Sequence, residues 1–258
     1  MSSLWMFFRA ECVKSLKGWP LLTAILAPIC QTGFLFAIIW FSEDLVMRFR
    51  PGFAFWVELN YLAWNLVFLP IVGAIVAELS WELESESKAW NHLLIQPVSR
   101  GNHYLAKALN HLSLILMSQV ILFIILIPAG MVLRGHLDSI LGHTNIWGGI
   151  PGNTLIQFAG YSLFASVPLA LFHTWLSAYR PGLGVSIAVA LGGTWACARL
   201  SGTTSLLQIA PWGGASQAVA FFNRWKRHIP WEYIPGFLLC AAILLLFGTW
   251  SFSRNRNV

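Results

Sequence analysis

Six long apolar blocks, separated by short polar segments, limit what this sequence can fold into more than any other feature. They lie at 21–41, 53–77, 104–133, 154–178, 183–200 and 233–252. A helix needs about 20 apolar residues to cross a bilayer, and each block is near or above that length. The sequence therefore predicts an all-α integral membrane protein, with six transmembrane helices in a single domain over residues 1–258.

The low charge content supports a lipid environment. Only 10% of the residues are charged, 57% are hydrophobic, and the mean hydropathy is +0.66. Soluble domains carry roughly 25% charged residues. The 16 basic residues are scattered among the apolar blocks instead of forming one stripe, so we do not expect nucleic-acid binding. The net charge of +6 suits contact with membrane lipid and its headgroups.

An even number of spans places both termini on one side of the membrane. Nine of the 16 Lys and Arg residues then fall on the side of the termini, and seven fall on the other side. Basic residues favour the cytoplasmic side, so we expect cytoplasmic N and C termini. The cluster formed by Arg224, Lys226 and Arg227 lies on the opposite side and argues against this orientation.

Residues 3–18 read as an amphipathic helix that lies flat in the headgroup region. Leu4, Phe7, Phe8, Cys12 and Leu16 recur near helical spacing, and the basic residues of the segment fall on other faces. The alternative interpretation is a plain extension of the first span.

An acidic segment follows the second span. Four of the ten acidic residues fall within nine positions, and an apolar stripe follows them on the same predicted helix. We predict a short cytoplasmic amphipathic helix over 82–97, which either binds a soluble partner or rests on the membrane as a solvated helix. Its candidate partner-contacting residues are Glu82, Glu84, Glu86, Trp90, Leu93, Leu94, Pro97, which ends the helix, and Arg100, which leads into the third span.

Two further segments suggest how the spans are arranged. Small residues recur every fourth position in the fifth block, at Gly184, Ala188, Gly192 and Ala196, and such a stripe lets another helix approach closely. Spacing alone slightly favours packing within the chain over a subunit interface. The external segment 201–232 is too apolar for a plain loop, and its apolar pieces are too short to cross, so we expect re-entrant or interfacial helices.

The chemistry that would mark an enzyme is absent from the sequence. There is no Gly-Lys dipeptide and hence no Walker A loop, and no H-E-x-x-H or G-x-S-x-G motif. We therefore assign no catalytic residue, no metal site and no cofactor to this chain. Glu58 is either an intramembrane functional residue or an interfacial one, and with Asn60 and Asn65 it is a candidate for a substrate path.

Two motifs resemble a known family. The first is Glu11-x-x-Lys14-x-x-Lys17 leading into Leu22-x-x-Ile25-Leu-Ala-Pro28. The second is Glu84-x-Glu86-x-x-x-Trp90-x-x-Leu93-Leu94-x-x-Pro97-Val-Ser-Arg100, running on to Tyr104 and Lys107. Together they resemble the permease subunits of type-2 ABC exporters, in particular the lantibiotic-protection and bacitracin-resistance-like permeases.

The resemblance implies a partner, a fold and a function. Two six-span permeases, identical or related, would pack side by side above two cytoplasmic ABC ATPases that bind ATP and Mg. The 82–97 helix would be the coupling helix seated on the ATPase. Spans one, two and five would line the subunit interface and the path, which favours an interface role for the Gly184–Ala196 stripe.

The resemblance also implies a setting and a class of cargo. The chain would sit in a bacterial inner membrane and export a hydrophobic or amphipathic antimicrobial peptide or drug. Alternatives are a permease for lipid, polysaccharide or another small molecule, or a membrane scaffold without transport. The basic segment Arg224–His228 departs from the family pattern and weakens the transfer of any particular substrate.

Overall fold

The computed structural model of the protein describes residues 3–42, 52–86, 99–141, 152–179, 182–200, 210–214 and 231–254. Within these ranges the regular structure is entirely helical. A π-helical turn, Trp64–Phe68, joins α3 to α4, and a 3₁₀ turn, Trp231–Tyr233, precedes α8. The α-helices are α1 (Ser3–Leu16), α2 (Trp19–Phe41), α3 (Phe53–Ala63), α4 (Leu69–Glu86), α5 (Arg100–Leu141), α6 (Gly152–Ala178), α7 (Leu183–Leu200) and α8 (Ile234–Arg254).

Five helical stretches are long and apolar enough to cross a membrane. They are Trp19–Phe41, Phe53–Glu82, Arg100–Ser139, Leu155–Ala178 and Ile234–Arg254. The fifth block of the sequence, Leu183–Arg199, is a shorter apolar helix that does not reach that length. The prediction of several apolar helical spans is thus confirmed for five helices, and the sixth span stays a prediction.

The helices on either side of the acidic segment are longer than the sequence predicted. The second block continues to Glu86 instead of ending at 77, and the third begins at Arg100 and reaches Leu141 instead of covering 104–133. The 42 residues of α5 make a helix of about 63 Å, roughly twice the thickness of a hydrocarbon core. Since neither helix stops at the apolar boundary, both carry polar residues past the membrane-spanning part.

The π-helical turn lies midway along the second span. The Leu69 N–H donates to the Trp64 carbonyl five residues back, which is the hydrogen bond that defines a π turn. Side-chain amides supply further donors here: Asn65 Nδ2 donates to the Tyr61 carbonyl at 2.8 Å, and Gln31 Nε2 from α2 donates to the Asn60 carbonyl at 3.0 Å. These bonds matter because an unsatisfied carbonyl is costly where water is excluded.

The first described helix, α1, and the end of the last, α8, lie at the same end of the helix bundle. Phe7 of α1 packs edge-on against the His103 ring at 6.1 Å, and Phe252 of α8 packs against the same ring at 6.4 Å. Trp81, near the end of α4, contacts Phe252 at 5.3 Å. We call this the α1 end of the bundle; it holds α1, the end of α4, the start of α5 and the end of α8.

The described part of the predicted re-entrant segment reaches deep between two helices. Trp212 lies directly on Gly193, where any Cβ would overlap its indole ring, and packs on Phe172 with ring centroids 4.6 Å apart. Gly214 lies against Ala165 just as closely. Gly193 is ten residues from the start of α7, about 15 Å along the helix axis, so residues 210–214 sit among the spans. Residues 201–209 and 215–230 lie outside the described residues.

Candidate functional site

The two sequence motifs meet in one buried cluster at the α1 end. Glu11 and Lys14 come from α1, Glu84 from the last turn of α4, and His103 and Lys107 from the first two turns of α5. Glu11 and Glu84 are 73 positions apart in the sequence, yet both bond the same two lysines. We call these five residues the ionic cluster. It ties three helices together at the point where the chain leaves the second span.

Each charged group in the ionic cluster has more than one partner. Lys14 Nζ donates to Glu11 Oε1 at 2.7 Å and to Glu84 Oε1 at 2.6 Å. Lys107 Nζ donates to Glu11 Oε2 at 3.0 Å and to the Ser80 carbonyl at 2.8 Å, and lies 3.3 Å from Glu84 Oε1. His103 Nε2 lies 3.0 Å from Glu84 Oε2. The buried Lys107 ammonium therefore has two hydrogen-bond acceptors and a second carboxylate in ion-pair contact, which offsets the cost of burying its charge.

The surroundings favour the charged forms of Glu84 and Lys14. The cluster matches two carboxylates, Glu11 and Glu84, with two lysines, Lys14 and Lys107. Burial of Glu84 opposes its ionisation, but the hydrogen bond from His103 and the charges of Lys107, His103 and Lys14 outweigh it and hold the pKa of Glu84 well below its usual range. Burial also opposes the charge on Lys14, yet the charges of Glu11 and Glu84 raise the pKa of Lys14 above its ordinary value. Both shifts favour the charged pair formed by Glu84 and Lys14.

Three residues of the ionic cluster lie close enough together to hold a metal ion, but their carboxylate oxygens are already bonded to lysines. Glu11, Glu84 and His103 bring one ligand atom each within 4.8 Å of one another. However, Lys14 and Lys107 already bond the carboxylate oxygens that a cation would use. A metal ion would have to displace two ammonium groups, so the donor set favours an ionic tie between helices.

A second contact anchors the other side of α4. Glu78 accepts a hydrogen bond from the backbone N–H of Gly182 at 3.1 Å and another from Ser186 Oγ at 3.0 Å, at the start of α7. Gly182 has a φ of +77°, a conformation that favours glycine. A carboxylate is stabilised at a helix N-terminus, where backbone N–H groups lack partners within the helix. The last turns of α4 are therefore fixed to α1 and α5 on one side and to α7 on the other.

The structure places three of the predicted coupling residues and corrects the position of one. Residues 82–86 continue α4 and do not begin a separate helix. Glu82 is exposed and Arg100 is half-buried, whereas Glu84, which the sequence grouped with surface charges, is buried in the ionic cluster. The side chain of Glu86 and the whole of Trp90, Leu93, Leu94 and Pro97 lie outside the described residues. Their coupling role stays a prediction.

The predicted path residues have internal roles in this conformation. Asn60 is buried and pairs with Gln31, and Asn65 is buried and accepts a hydrogen bond from Ser162 Oγ at 2.9 Å. Glu58, two residues before Asn60, is half-buried. Both asparagines thus serve the π-helical turn and the contacts of the second span with α2 and α6, and a path role for them stays a prediction.

The small-residue stripe faces away from the described bundle. Gly184, Ala188 and Gly192 are exposed, and no described atom lies within 4 Å of a Cβ built at Gly184 or Gly192. The buried face of α7 is instead Ser186, Ala190, Thr194 and Cys197. Ala196, the fourth residue of the stripe, is half-buried, and whether the stripe packs within the chain or against a second subunit stays a prediction.

Sequence reasoning missed the partners in the ionic cluster. The sequence analysis includes Glu11, Lys14 and Lys107 in the two motifs without assigning them partners, and it assigns no role to His103 or Glu78. One signal was available: a lysine in an apolar helix needs a buried acid, and Lys107 lies well inside the fifth helix. The orientation of α1 was also only partly predicted, because its most buried residues are Glu11 and Ser15 while Leu16 is 64% exposed.

These features define a multi-pass helical membrane protein whose N-terminal helix, second span and third span are tied by buried charges. A family profile described as "ABC-2 family transporter protein" matches residues 7–193, which is most of the chain and includes the whole ionic cluster. The chain belongs to this family, whose members are the membrane-embedded and generally non-catalytic permease components of ABC transporters, and membership implies partnership with an ABC ATPase component. A search of curated proteins gave no match.

Proposed function

We propose that this permease receives the movement of its ATPase through the segment after the second span, and that the ionic cluster carries that movement into the bundle. The observation that supports this is Glu84, which sits at the last described turn before the segment and bonds α1 and α5 at once. ATP would close the two ATPase domains, and the end of α4 would move with them. Because Glu84 and Glu78 fix that end on two sides, α1, α5 and α7 would follow it as one body.

The proposed topology has six spans with both termini in the cytoplasm. The five longest helices alone would leave the chain ends on opposite sides, whereas α1 and the end of α8 share one end of the bundle. A crossing by α7 reconciles these facts, with 201–232 as a re-entrant segment from the outside. The 82–97 segment then lies on the cytoplasmic side with α1.

We further infer that the outward stripe on α7 packs against a second permease subunit. Its small residues leave backbone exposed in an otherwise apolar surface, which suits a close helix–helix approach in lipid. A cysteine at Ala188 in an otherwise cysteine-free chain would then form a disulfide-linked dimer in native membranes, whereas one at Leu239, an exposed position on α8, would not. Equal cross-linking at both positions would contradict this interface.

The cargo we propose is a hydrophobic or amphipathic antimicrobial peptide or drug, exported from a bacterial inner membrane. Its support is the resemblance of the two motifs to lantibiotic-protection and bacitracin-resistance-like permeases. Lipid, polysaccharide or another small molecule is the alternative cargo class. A screen of ATPase stimulation in nanodiscs, with the ATPase that is co-expressed and purified with the permease, separates these classes.

The test of the coupling proposal compares charge reversals at the two ends of the bundle. Glu82→Lys and Trp90→Ala should leave the permease in the membrane but abolish cargo-stimulated ATP hydrolysis. Glu232→Lys is the matched control, because it reverses an exposed glutamate at the start of α8, at the opposite end. Normal stimulation in the Glu82 and Trp90 variants, or equal loss in the Glu232 variant, would count against coupling through this segment.

A further inference from the structure

We propose that the outward face of α1 is a binding surface for anionic phospholipid headgroups. The face is formed by Trp5, Met6, Arg9, Val13, Leu16 and Lys17, all of them exposed. We call it the outer face of α1. The proposal does not depend on the direction of transport or on the cargo.

The outer face combines two kinds of residue that only one environment satisfies together. Its four large apolar side chains are between 46% and 64% exposed, and exposing that much apolar surface to water is unfavourable. Arg9 lies among them and Lys17 directly follows the last residue of α1, and the charges of these two side chains cannot enter the hydrocarbon core. The boundary between acyl chains and headgroups accepts both, with the apolar side chains below and the cations at the phosphates.

The position of α1 in the chain places this face at that boundary. α1 ends at Leu16, and the first span begins at Trp19 after a two-residue turn, so the C-terminal end of α1 lies where that span enters the membrane. The ionic cluster holds the opposite face, Glu11 and Ser15, against the bundle, with Ser15 Oγ accepting a hydrogen bond from Asn110 Nδ2 at 2.7 Å. The outer face therefore has a fixed orientation, away from the helices and along the membrane.

The sign of the charge selects the headgroup. Glu11 is the only acidic residue of α1, and it is buried and paired with two lysines, so every exposed charge on the helix is positive. At the same end of the bundle, Arg254 adds a further exposed cation, 4.8 Å from the Trp250 ring. These cations would attract phosphatidylglycerol and other anionic lipids, whereas zwitterionic lipids carry no net charge and would be attracted much less.

The test uses the purified full chain, delipidated in neutral detergent, and dioctanoyl phosphatidylglycerol as the probe, with dioctanoyl phosphatidylcholine for comparison. Bound lipid is counted by native mass spectrometry as the lipid concentration is raised. Losing both Arg9 and Lys17 to Gln should weaken phosphatidylglycerol binding about 25-fold, about fivefold for each cation, and should leave phosphatidylcholine binding unchanged. The control double variant, Arg134→Gln with Arg199→Gln, removes the same charge at the opposite end and should change neither.

Equal weakening in the two double variants would overturn the proposal, because net charge alone would then explain binding. Wild-type affinity for phosphatidylglycerol that does not fall with salt would overturn it without any variant. The other occupant to separate is the ATPase. If the Arg9 and Lys17 variant loses co-elution with the ATPase while keeping phosphatidylglycerol binding, the outer face is a protein-docking surface and the lipid proposal is wrong. Failure of the lipid test leaves coupling untouched, since Glu82 and Trp90 are tested by ATP hydrolysis.

Discussion

Removing the buried ammonium of the ionic cluster gives the strongest test of how the bundle is held together. Lys107→Met keeps the length and apolar stem of the side chain but leaves Glu11 and Glu84 with one cation, Lys14. Lys107 is 1% exposed, donates hydrogen bonds at 2.8 and 3.0 Å, and forms an ion pair with Glu84 at 3.3 Å. Breaking a buried pair from one side costs about 3–5 kcal/mol, because a buried charge is left uncompensated. Total stabilities are about 5–15 kcal/mol, so this single change should be severe.

Two companion variants turn that magnitude into a test. Lys14→Met removes a lysine that is 40% exposed, and a pair with that exposure contributes about 1 kcal/mol or less. Combining Lys107→Met with Glu11→Gln restores charge balance, since Lys14 and Glu84 then remain as a pair. The double variant should therefore be less destabilised than the sum of its two single variants, by about 1–3 kcal/mol.

The assay is equilibrium unfolding of the purified chain in mixed micelles as the fraction of SDS is raised. Equal losses for the Lys107 and Lys14 variants would refute the claim that burial decides which lysine matters. Strict additivity in the double variant would refute the claim that charge balance holds the cluster together. Ser113→Ala, which removes an exposed hydroxyl on the same helix, is the control and should shift the transition by no more than about 0.5 kcal/mol.

Three further predictions concern pH, the deep tryptophan and the π-helical turn. Because the pKa of Glu84 is lowered on folding, its contribution to folding stability is present above its unfolded pKa of about 4.5 and is lost only at much lower pH. Because the pKa of Lys14 is raised on folding, its contribution to folding stability is lost only above about pH 10.5. SDS unfolding of the wild type and of Glu84→Gln should thus differ by a constant free energy from about pH 7 to pH 10, and a narrowing gap there would contradict these directions. Gly193→Leu should displace Trp212, seen as a red shift of tryptophan emission that the neighbouring Gly192→Leu does not produce; equal shifts would argue against the close contact. Asn65→Leu removes two hydrogen bonds beside the π-helical turn and should cost about 1–3 kcal/mol in the SDS assay, whereas no loss would mean that the turn needs no side-chain donor.

The parts of the fold that hydropathy controls could be predicted from the sequence. Apolar blocks gave the spans, and α7 begins and ends at the residues expected from its block. The extensions of α4 to Glu86 and of α5 back to Arg100 could not be read in this way, because polar residues in a helix carry no apolar signal. They become stable by packing and pairing, as Glu84 and Lys107 show.

The ionic cluster lay beyond sequence reasoning for a different reason. Helical spacing relates only residues three or four apart, so it cannot reveal a partner of Glu84 on another helix. The described partners of Glu84 are residues of other helices that lie 70 positions before it and 19 and 23 positions after it in the sequence. Only tertiary packing decides such pairs. The same limit applies to α1, where an apolar pattern predicts an inward face in a soluble protein, but at a membrane surface apolar residues also face out.

The π-helical turn also sets the direction in which the lower half of the second span points. A turn of this kind takes up one more residue than an ordinary turn, and each residue of an α-helix advances the chain by about 100°. If residues 64–68 formed regular α-helix without losing a residue, everything beyond them would be rotated by roughly that angle, whereas deleting one of them would restore regular helix and keep the orientation. In the first case Glu78 would swing away from the start of α7, and Glu84 away from Lys107, although neither residue had changed. The phase of one irregular turn, some 10 to 20 residues distant, therefore decides whether those two glutamates meet their partners.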